Sequence, residues 1–144
     1  MSKVSIYLNF MGNAEEAFNF YKEVFHSEFA GPIFRMSDIP AAPGMPQLPE
    51  ADRNKIMNIS LPILGGTVLM ATDMLESLGH KLTIGNNTTI NLELDSKEEA
   101  DRIYKALSEG STECAVPHDE PWGYWGVCLD RFGIRWMFNV MKQA

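Results

Sequence analysis

Two acidic residues are the candidates for acid–base chemistry in this chain. Glu93 lies in a predicted strand, and Asp130 opens the tetrapeptide Asp-Arg-Phe-Gly between two further predicted strands. A carboxylate held in a dry cavity has a raised pKa and can act as a general base. Each residue also has a structural explanation, because Asp favours turn openings and Glu93 can pair with Arg135 on the surface. The sequence therefore leaves catalysis open.

A second candidate is a metal-binding cluster formed by His118, Asp119 and Glu120. These residues are adjacent in a predicted loop, whereas the ligands of a metal site are usually spaced so that their side chains converge. The other two histidines lie elsewhere, His26 at a predicted helix end and His80 in a connector. We expect a solvated turn at 118–120 and no metal site.

The chain has two cysteines, Cys114 and Cys128, and both lie in predicted strands. We expect both to be reduced, since the first residues lack the basic and then apolar pattern of an export signal. A reactive thiol requires a cationic neighbour, and the sequence indicates none. We expect both cysteines to be small side chains that fill the core. We also expect a cytoplasmic location.

Composition limits the classes of partner. The chain has 144 residues, with 45% hydrophobic and 22% charged side chains, which is typical of one globular domain. The net charge of −7 has no compensating cluster of Lys and Arg, so we expect neither nucleic acid nor an anionic membrane as partner. No apolar run approaches the length of a bilayer span.

The last part of the chain predicts a β-hairpin. Residues 124–129 and 134–140 are rich in β-branched and aromatic side chains, and a turn from Asp130 to Gly133 joins them. In the second arm alternate side chains fall on opposite faces, one strongly apolar and one mixed. The mixed face carries Arg135, Met137, Asn139 and Met141.

Two predicted helices begin with the same capping pattern, Asn13 followed by Glu16 and Ser96 followed by Glu99. Apolar residues then recur at helical spacing. The first helix is expected to end near residue 26 and the second before Gly110. The predicted strands cover residues 4–10, 28–36, 55–63, 67–72, 88–94, 113–117, 124–129 and 134–140. Gly31 and Pro32 interrupt the second of these, which indicates an edge strand or a bulge.

A long loop at residues 37–54 contains prolines at every third position, from Pro40 to Pro49. This spacing favours an extended polyproline conformation. One interpretation is a docking segment for a proline-binding domain, and the other is a stiff surface loop beside a pocket. The second is favoured because the loop lies inside a folded domain.

The order strand, helix, strand, strand, strand occurs twice along the chain. Ser5 then corresponds to Thr89, and Met70 to Met137. A period near eighty residues without sequence identity is a weak repeat signal, but the two capping patterns occupy matching places. We predict an α+β fold with one domain, 1–144, made of a module at about 1–75 and a second at about 86–144.

Short motifs spread through both halves point to a family. They are Tyr7-Leu8-Asn9-Phe10, Gly12-Asn13, Glu16-Ala17, Phe20-Tyr21, Trp122-Gly123, Asp130-Arg131-Phe132-Gly133-Ile134, Trp136 and Asn139. With the repeated βαβββ order, they resemble the PhnB-like branch of the vicinal oxygen chelate superfamily, which includes glyoxalase I, extradiol dioxygenases and bleomycin- and fosfomycin-resistance proteins. The resemblance implies two modules whose mixed sheets curl around a shared cavity.

The PhnB-like branch is sometimes described as demethylubiquinone methyltransferase-like. A Rossmann-type cofactor site requires a glycine-rich turn from a strand to a helix. In this chain Gly65 and Gly66 join two predicted strands instead. The sequence therefore does not support methyl transfer by a cofactor bound in that way.

Metal-using relatives in this superfamily place one ligand on the first strand and one on the last strand of each module. The ion then stabilises an enolate-like charge on the substrate. Carried over residue by residue, these positions are Ser5, Met70, Thr89 and Met137. None is His, Asp or Glu, which are the donors suited to such ions. We therefore expect the fold without a metal or another cofactor.

The strand faces turned away from the helices are expected to line the cavity. Their thioethers, phenol and amides suit a small, flat, polar molecule, and Glu93 and Arg135 either pair or meet the two ends of a zwitterion. The predicted ligand-binding residues are Tyr7, Asn9, Met70, Asn91, Glu93, Arg135, Met137 and Asn139.

Three functions remain open from the sequence. The first is a metal-free small-molecule-binding protein, as in drug-sequestering relatives, with no assigned activity. The second is an enzyme of unknown reaction on a small polar substrate in the same cavity. The third is an interaction protein that uses Trp122 and Trp125. We also expect a homodimer, because an open sheet leaves edges that a second copy can cover.

Overall fold

The computed structural model describes residues 1–40, 42–45 and 47–142. They belong to two compact units, Met1–Thr83 and Ile84–Ala144. Each unit contains one α-helix and one four-stranded mixed sheet. The predicted α+β class is therefore confirmed.

The first unit follows the order strand, helix, strand, strand, strand. Its sheet has the strand order β1-β4-β3-β2, with β1 parallel to β4 and the other neighbours antiparallel. Its elements are β1 (Ile6–Phe10), α1 (Ala14–Val24), β2 (Phe34–Arg35), β3 (Ile56–Pro62) and β4 (Val68–Asp73).

The second unit repeats this plan. Its sheet has the order β5-β8-β7-β6, again with a parallel pair, β5 and β8, between the first and last strands of the unit. The two βαβββ modules are therefore confirmed. The elements are β5 (Ile90–Glu93), α2 (Lys97–Leu107), β6 (Glu113–Glu120), β7 (Gly123–Leu129) and β8 (Arg135–Met141).

Each helix packs on one face of its own sheet through aromatic contacts. Phe18 of α1 meets Phe10 of β1 edge to face, with ring centroids 6.1 Å apart, and Tyr104 of α2 meets Phe138 of β8 at 5.4 Å. Phe10, Phe18 and Phe138 are fully buried, and burial of each stabilises the fold by about 1.5–3 kcal/mol. Each helix has 11 residues, and none in the described part of the chain is long and apolar enough to cross a bilayer.

The two helices begin differently. Ser96 accepts a hydrogen bond at Oγ from the Glu99 backbone N–H at 3.1 Å, as its sequence pattern predicts. The Asn13 side chain makes no capping bond, so the predicted cap there is wrong. Instead, the buried carboxylate of Asp73 accepts from the Ala14 backbone N–H at 2.9 Å. The hydrogen-bond acceptor at the start of α1 is therefore supplied by a residue that is distant in sequence.

Two strands differ from their predicted lengths. β2 has two residues instead of the nine at 28–36, because Gly31 adopts a positive φ of 75° and Pro32 follows it. β6 continues through the predicted loop at 118–120. It does so because a bulge between Ala115 and His118 accommodates Pro117 at the edge of the sheet.

The proline-rich loop is only partly extended. Pro49 has the polyproline-like angles φ −53° and ψ 147°. Residues 42–45 form a turn, in which Met45 donates from its backbone N–H to the Ala42 carbonyl at 3.1 Å. The predicted continuous polyproline segment is therefore wrong there, and its part at Pro46 lies outside the described residues.

Candidate functional site

The open face of the first sheet, meaning the face turned away from α1, carries neutral polar side chains and a thioether. Tyr7 of β1 is in register with Met70 of β4, and Met70 with Ser60 of β3. Tyr7 is 49% exposed. The first sheet therefore brings together the predicted residues Tyr7, Asn9 and Met70. The other polar side chains described on this face include Ser5, Asn58, Ser60 and Thr72.

Two of the positions that correspond to metal ligands in the superfamily touch each other in the first unit. The Ser5 hydroxyl donates to the Met70 sulfur at 3.8 Å. The ladder partner of Met70 is Tyr7, so Ser5 reaches the Met70 sulfur from a diagonal position. A neutral hydroxyl and a thioether are poor donors for the divalent ions that such sites hold.

The open face of the second sheet, turned away from α2, carries the predicted residues of that unit. Asn91 is in register with Met137, and Glu93 with Asn139. Asn139 donates from Nδ2 to Asn91 Oδ1 at 2.6 Å. This bond orients the two amides and leaves the Asn91 NH₂ group and the Asn139 carbonyl for further partners.

Arg135 lies on the same face but does not pair with Glu93. Its Nη2 donates to Glu113 Oε2 at 2.7 Å, and its Nε donates to the Gly85 carbonyl at 3.1 Å. Of the two alternatives left open for Glu93 and Arg135, their pairing with each other is therefore wrong. The reason is strand order, since β6 carries Glu113 to the end of the sheet at which Arg135 lies.

Two ring-bearing residues that the predicted ligand-binding set leaves out also lie on this open face. Trp125 of β7 lies in register between Asn139 of β8 and His118 of β6. One row across the four strands therefore reads Glu93, Asn139, Trp125 and His118. The His118 and Trp125 rings meet edge to face with centroids 5.7 Å apart. The alternation of side chains continues beyond Pro117 and places His118 on this face. The predicted strand ended at residue 117 and therefore did not include His118.

Both ring nitrogens of His118 face acceptors. Nδ1 lies 2.8 Å from the Val116 carbonyl oxygen, and Nε2 lies 2.8 Å from Glu120 Oε1. Only the doubly protonated ring can donate to both. The Val116 carbonyl, and after it the Glu120 carboxylate, therefore raise the pKa of His118.

The sequence His118-Asp119-Glu120 does not converge on a common point. Asp119 turns to the helix side of the sheet, where its Oδ1 accepts from Lys97 Nζ at 2.8 Å. Glu120 meets His118 on the open face. Among the described residues, no three His, Cys, Asp or Glu side chains form a group able to hold a metal ion. The solvated turn expected at this tripeptide is wrong, because residues 118–120 belong to β6.

Asp130 has a structural role. It is 4% exposed, and its Oδ1 accepts from the backbone N–H groups of Phe132 at 2.9 Å and Ile134 at 3.0 Å. Its Oδ2 accepts from Trp136 Nε1 at 2.8 Å. The turn interpretation of Asp130 is confirmed, since its carboxylate is fixed inside the hairpin.

Two surface clefts can also be described, of which the second includes Glu120 and Met141 at one end of the open face of the second sheet. One, of about 180 Å³, is in the first unit and includes Glu15, Lys55 and Asp73 in its lining. The other, of about 360 Å³, is in the second unit and includes Lys97, Asp119 and Tyr124. Neither cleft includes any of the predicted ligand-binding residues. Ion pairs and hydrogen bonds occupy both linings, such as Lys55 Nζ to the Gly12 carbonyl at 2.8 Å.

Comparison with models of protein families gives a match over nearly the whole chain. The model of a family described as 3-demethylubiquinone-9 3-methyltransferase matches residues 2–139. A search of the curated proteins finds no match.

Solved structures share this fold over nearly the full chain. Protein PA1353 from Pseudomonas aeruginosa is 29% identical, with a TM-score of 0.82 and coverage of 99% of this chain and 100% of that one. A putative 3-demethylubiquinone-9 3-methyltransferase, PhnB protein, from Bacillus cereus is 23% identical, with a TM-score of 0.75 and coverage of 96% and 99%.

A fosfomycin resistance protein, FosX, from Listeria monocytogenes has the same fold at 12% identity, a TM-score of 0.65 and coverage of 99% and 94%. That structure is a complex with Mn(II) and 1S,2S-dihydroxypropylphosphonic acid. At this identity, the likeness concerns the fold alone, because one fold can carry many different sites.

Proposed function

This chain belongs to the PhnB-like family, described as 3-demethylubiquinone-9 3-methyltransferase, of the vicinal oxygen chelate superfamily, and from that premise we propose that it binds a small polar molecule without a metal. The observation that carries the proposal is the open face of the second sheet. There, the linked amides of Asn91 and Asn139 lie beside Met137 and the Trp125 ring. Such a mixture of apolar surface and a few oriented polar groups is typical of small-molecule sites.

The chemistry of this face indicates the class of ligand. The free amide groups of Asn91 and Asn139 offer one donor and one acceptor side by side, which suits a neutral amide or a heterocycle. Trp125 supplies an aromatic surface, and Met137 supplies a flexible apolar contact. Arg135 is already paired with Glu113, so an anionic ligand would have to displace a carboxylate. We propose a flat, uncharged, polar molecule.

The first sheet provides a second set of candidate contacts, Tyr7, Asn9 and Met70. The described polar groups on its open face are hydroxyls and amides, and none of them is charged. These residues therefore favour the same uncharged class of ligand.

The metal implied by the superfamily does not fit this chain. Ser5 and Met70 present a hydroxyl and a thioether where a ligand pair would be required, and Thr89 and Met137 are the corresponding types in the second unit. Hard or borderline divalent ions prefer carboxylate and imidazole donors. We therefore assign no chemical step to a metal.

Methyl transfer through a Rossmann-type cofactor site has little support. That site lies at the carboxyl edge of a doubly wound parallel sheet, after a glycine-rich turn. Each sheet here has only one parallel pair among its four strands. Gly65 and Gly66 lie in a 3₁₀ turn, Leu64–Gly66, between β3 and β4.

An acid–base enzyme is the weaker alternative. Asp130 is held by three internal donors, and both nitrogens of His118 face acceptors. Neither residue is free to remove a proton from a substrate. Glu93 remains the candidate base, and it lies exposed on the sheet face instead of inside a dry cavity.

A homodimer in the cytoplasm remains part of the proposal. Trp122 is 51% exposed and Met141 is 61% exposed. They lie close together, because Lys142 donates from its backbone N–H to the Trp122 carbonyl at 3.1 Å. Exposed aromatic and thioether groups are enriched in protein interfaces, which supports a contact between copies at this end of the second sheet.

Thermal unfolding with a panel of nucleobases, pterins and aromatic carboxamides tests the proposed binding. A compound that binds only the folded chain stabilises it, by about 2.7 kcal/mol at a concentration of 100 times its Kd. We expect stabilisation by at least one compound to be lost in Asn91→Ala and reduced in Met137→Ala. The matched control is Ile90→Val on the helix side of β5, which should keep the full shift. Compounds that stabilise both open-face variants as much as they stabilise the wild type would contradict this site.

A further inference from the structure

The two thiols of this chain face each other across neighbouring strands. Cys114 of β6 and Cys128 of β7 are direct partners in the antiparallel register. Both are free cysteines. The prediction of two core-filling side chains holds for Cys128, which is buried, and is wrong for Cys114, which is exposed.

The hydrogen-bond pattern shows what kind of pair they form. Asp130 donates from its backbone N–H to the Ile134 carbonyl at 2.8 Å. Hydrogen-bonded pairs alternate along an antiparallel ladder, so Cys128 is hydrogen-bonded to Trp136 of β8. Its other side, toward Cys114, is therefore a non-hydrogen-bonded position.

That position has the dimensions of a disulfide. Directly opposite residues at a non-hydrogen-bonded site have Cα atoms about 4.5 Å apart and side chains on the same face. Disulfides span Cα separations of about 4.4–6.8 Å. Cys114 and Cys128 can therefore be joined without moving either strand out of register. β6 is also an edge strand, so its backbone has a free side on which to adjust.

The two thiols differ in their access to solvent. Cys114 is exposed, so a small oxidant reaches it directly. Burial, followed by the nearby Asp130 carboxylate and Cys114, raises the pKa of Cys128 to about 12. Tyr104 of α2 lies beside the pair, and burial together with Cys114 raises its pKa to about 12, so it stays a neutral phenol. Cys114 is therefore the first site of attack, and Cys128 is the second thiol.

We propose that Cys114 and Cys128 are an oxidation site that closes to an intramolecular disulfide when the chain meets a peroxide. The Cys114 sulfur attacks one peroxide oxygen, the O–O bond breaks, and the leaving hydroxide takes up the proton of the Cys114 thiol and departs as water. Cys114 is then a sulfenic acid. The Cys128 sulfur attacks the Cys114 sulfur, its proton goes to the departing hydroxyl, and a second water leaves. Two thiols lose two electrons, and one peroxide becomes two waters.

Peptide mapping of the intact chain tests this oxidation. Reduced protein is treated with hydrogen peroxide near neutral pH, unfolded in the presence of an alkylating reagent, and digested without a reductant. We expect a peptide pair linked through Cys114 and Cys128, two hydrogen atoms lighter than the free peptides, with neither thiol alkylated. Dithiothreitol should restore alkylation of both. A reagent that traps sulfenic acids, added during oxidation, should label Cys114 and not Cys128.

Single substitutions provide the matched controls. In Cys128→Ala, the sulfenic acid on Cys114 has no second thiol, so labelling by the trapping reagent should rise and overoxidation should follow. In Cys114→Ala, the buried Cys128 should stay reduced and alkylatable after unfolding. The proposal fails if wild-type Cys114 becomes a sulfinic acid while Cys128 remains a free thiol. It also fails if the product links Cys114 of two chains. Both outcomes are read on the wild-type protein and do not depend on how well a variant folds.

Discussion

Asp130 shows at the scale of one residue how a turn and a strand are fixed together. Its carboxylate accepts hydrogen bonds from two backbone groups of the turn and from the indole of Trp136. Replacement by Ala would leave these buried donors without their acceptor. Each unsatisfied buried group costs about 1–3 kcal/mol.

We expect Asp130→Ala to lower the free energy of unfolding by about 3–5 kcal/mol, the range of the largest single-residue effects. The control is Asp95→Ala, at an exposed position before α2, which should change stability by about 0.5 kcal/mol or less. Urea unfolding followed by tryptophan fluorescence measures both. Equal effects in the two variants would refute the role assigned to Asp130.

His118 gives the second prediction at this scale. Because the folded chain raises the pKa of His118 above its usual 6.5, the folded state binds the imidazole proton more tightly than the unfolded state does. Its contribution to stability is therefore complete below pH ~6.5 and is lost as the pH rises through the higher folded value. His118→Gln should lower the melting temperature more at pH 5.5 than at pH 9. A difference that grows with pH would contradict this assignment.

The first turns of the two helices allow a matched comparison at the scale of elements. Ser96→Ala removes the oxygen that accepts from Glu99 and should cost about 1 kcal/mol. Asn13→Ala removes a side chain that makes no capping bond, since Asp73 caps that helix, and should cost less than about 0.5 kcal/mol. Chemical denaturation of both variants measures their free energies of unfolding. A larger loss of stability for Asn13→Ala than for Ser96→Ala would contradict this prediction.

Local sequence patterns were sufficient to predict the elements that depend only on residues close together in the chain. The alternation in β1 and β8 placed the apolar side chains on the helix side, and Ser96 marked the start of α2 correctly. The cap of α1 could not be found in this way, because Asp73 reaches Ala14 only after β4 has folded beside β1. Tertiary contacts routinely override local signals of this kind.

The open face of the second sheet was predictable only in part, for a similar reason. Alternation along β5 and β8 was enough to place Asn91, Met137 and Asn139 on one face. The partner of Arg135 depended on which strand forms the far edge of the sheet, and Pro117 concealed the part of that strand that carries His118. Proline is usually a sign that a strand has ended, except at edges and bulges.

At the scale of the whole molecule, the proposed dimer has a direct test. Light scattering should give about twice the chain mass of 16.2 kDa. Trp122→Ser should shift the protein toward the monomer, because it removes an exposed aromatic side chain from the proposed interface. Leu78→Ser, an exposed apolar position of the first unit, should leave the mass unchanged. A monomeric wild type at micromolar concentration would contradict the proposal.

Elemental analysis tests the metal-free proposal on the whole chain. Protein purified without an affinity tag should carry far less than one equivalent of zinc, nickel, manganese or iron, since Ser5 and Met70 are poor donors for these ions. Addition of each ion should leave the melting temperature unchanged. One stoichiometric equivalent that survives dialysis would refute this prediction.

The bulge in β6 also bears on how copies of this chain can associate. An uninterrupted edge strand offers a row of free backbone groups on which another strand can align, and this is a common route to aggregation. In β6 that row is broken, because Pro117 has no N–H and the bulge shifts the register between Ala115 and His118. Strand-by-strand growth at this edge is therefore hindered. A second copy that docks here has to recognise side chains, which favours a closed pair over an open fibre.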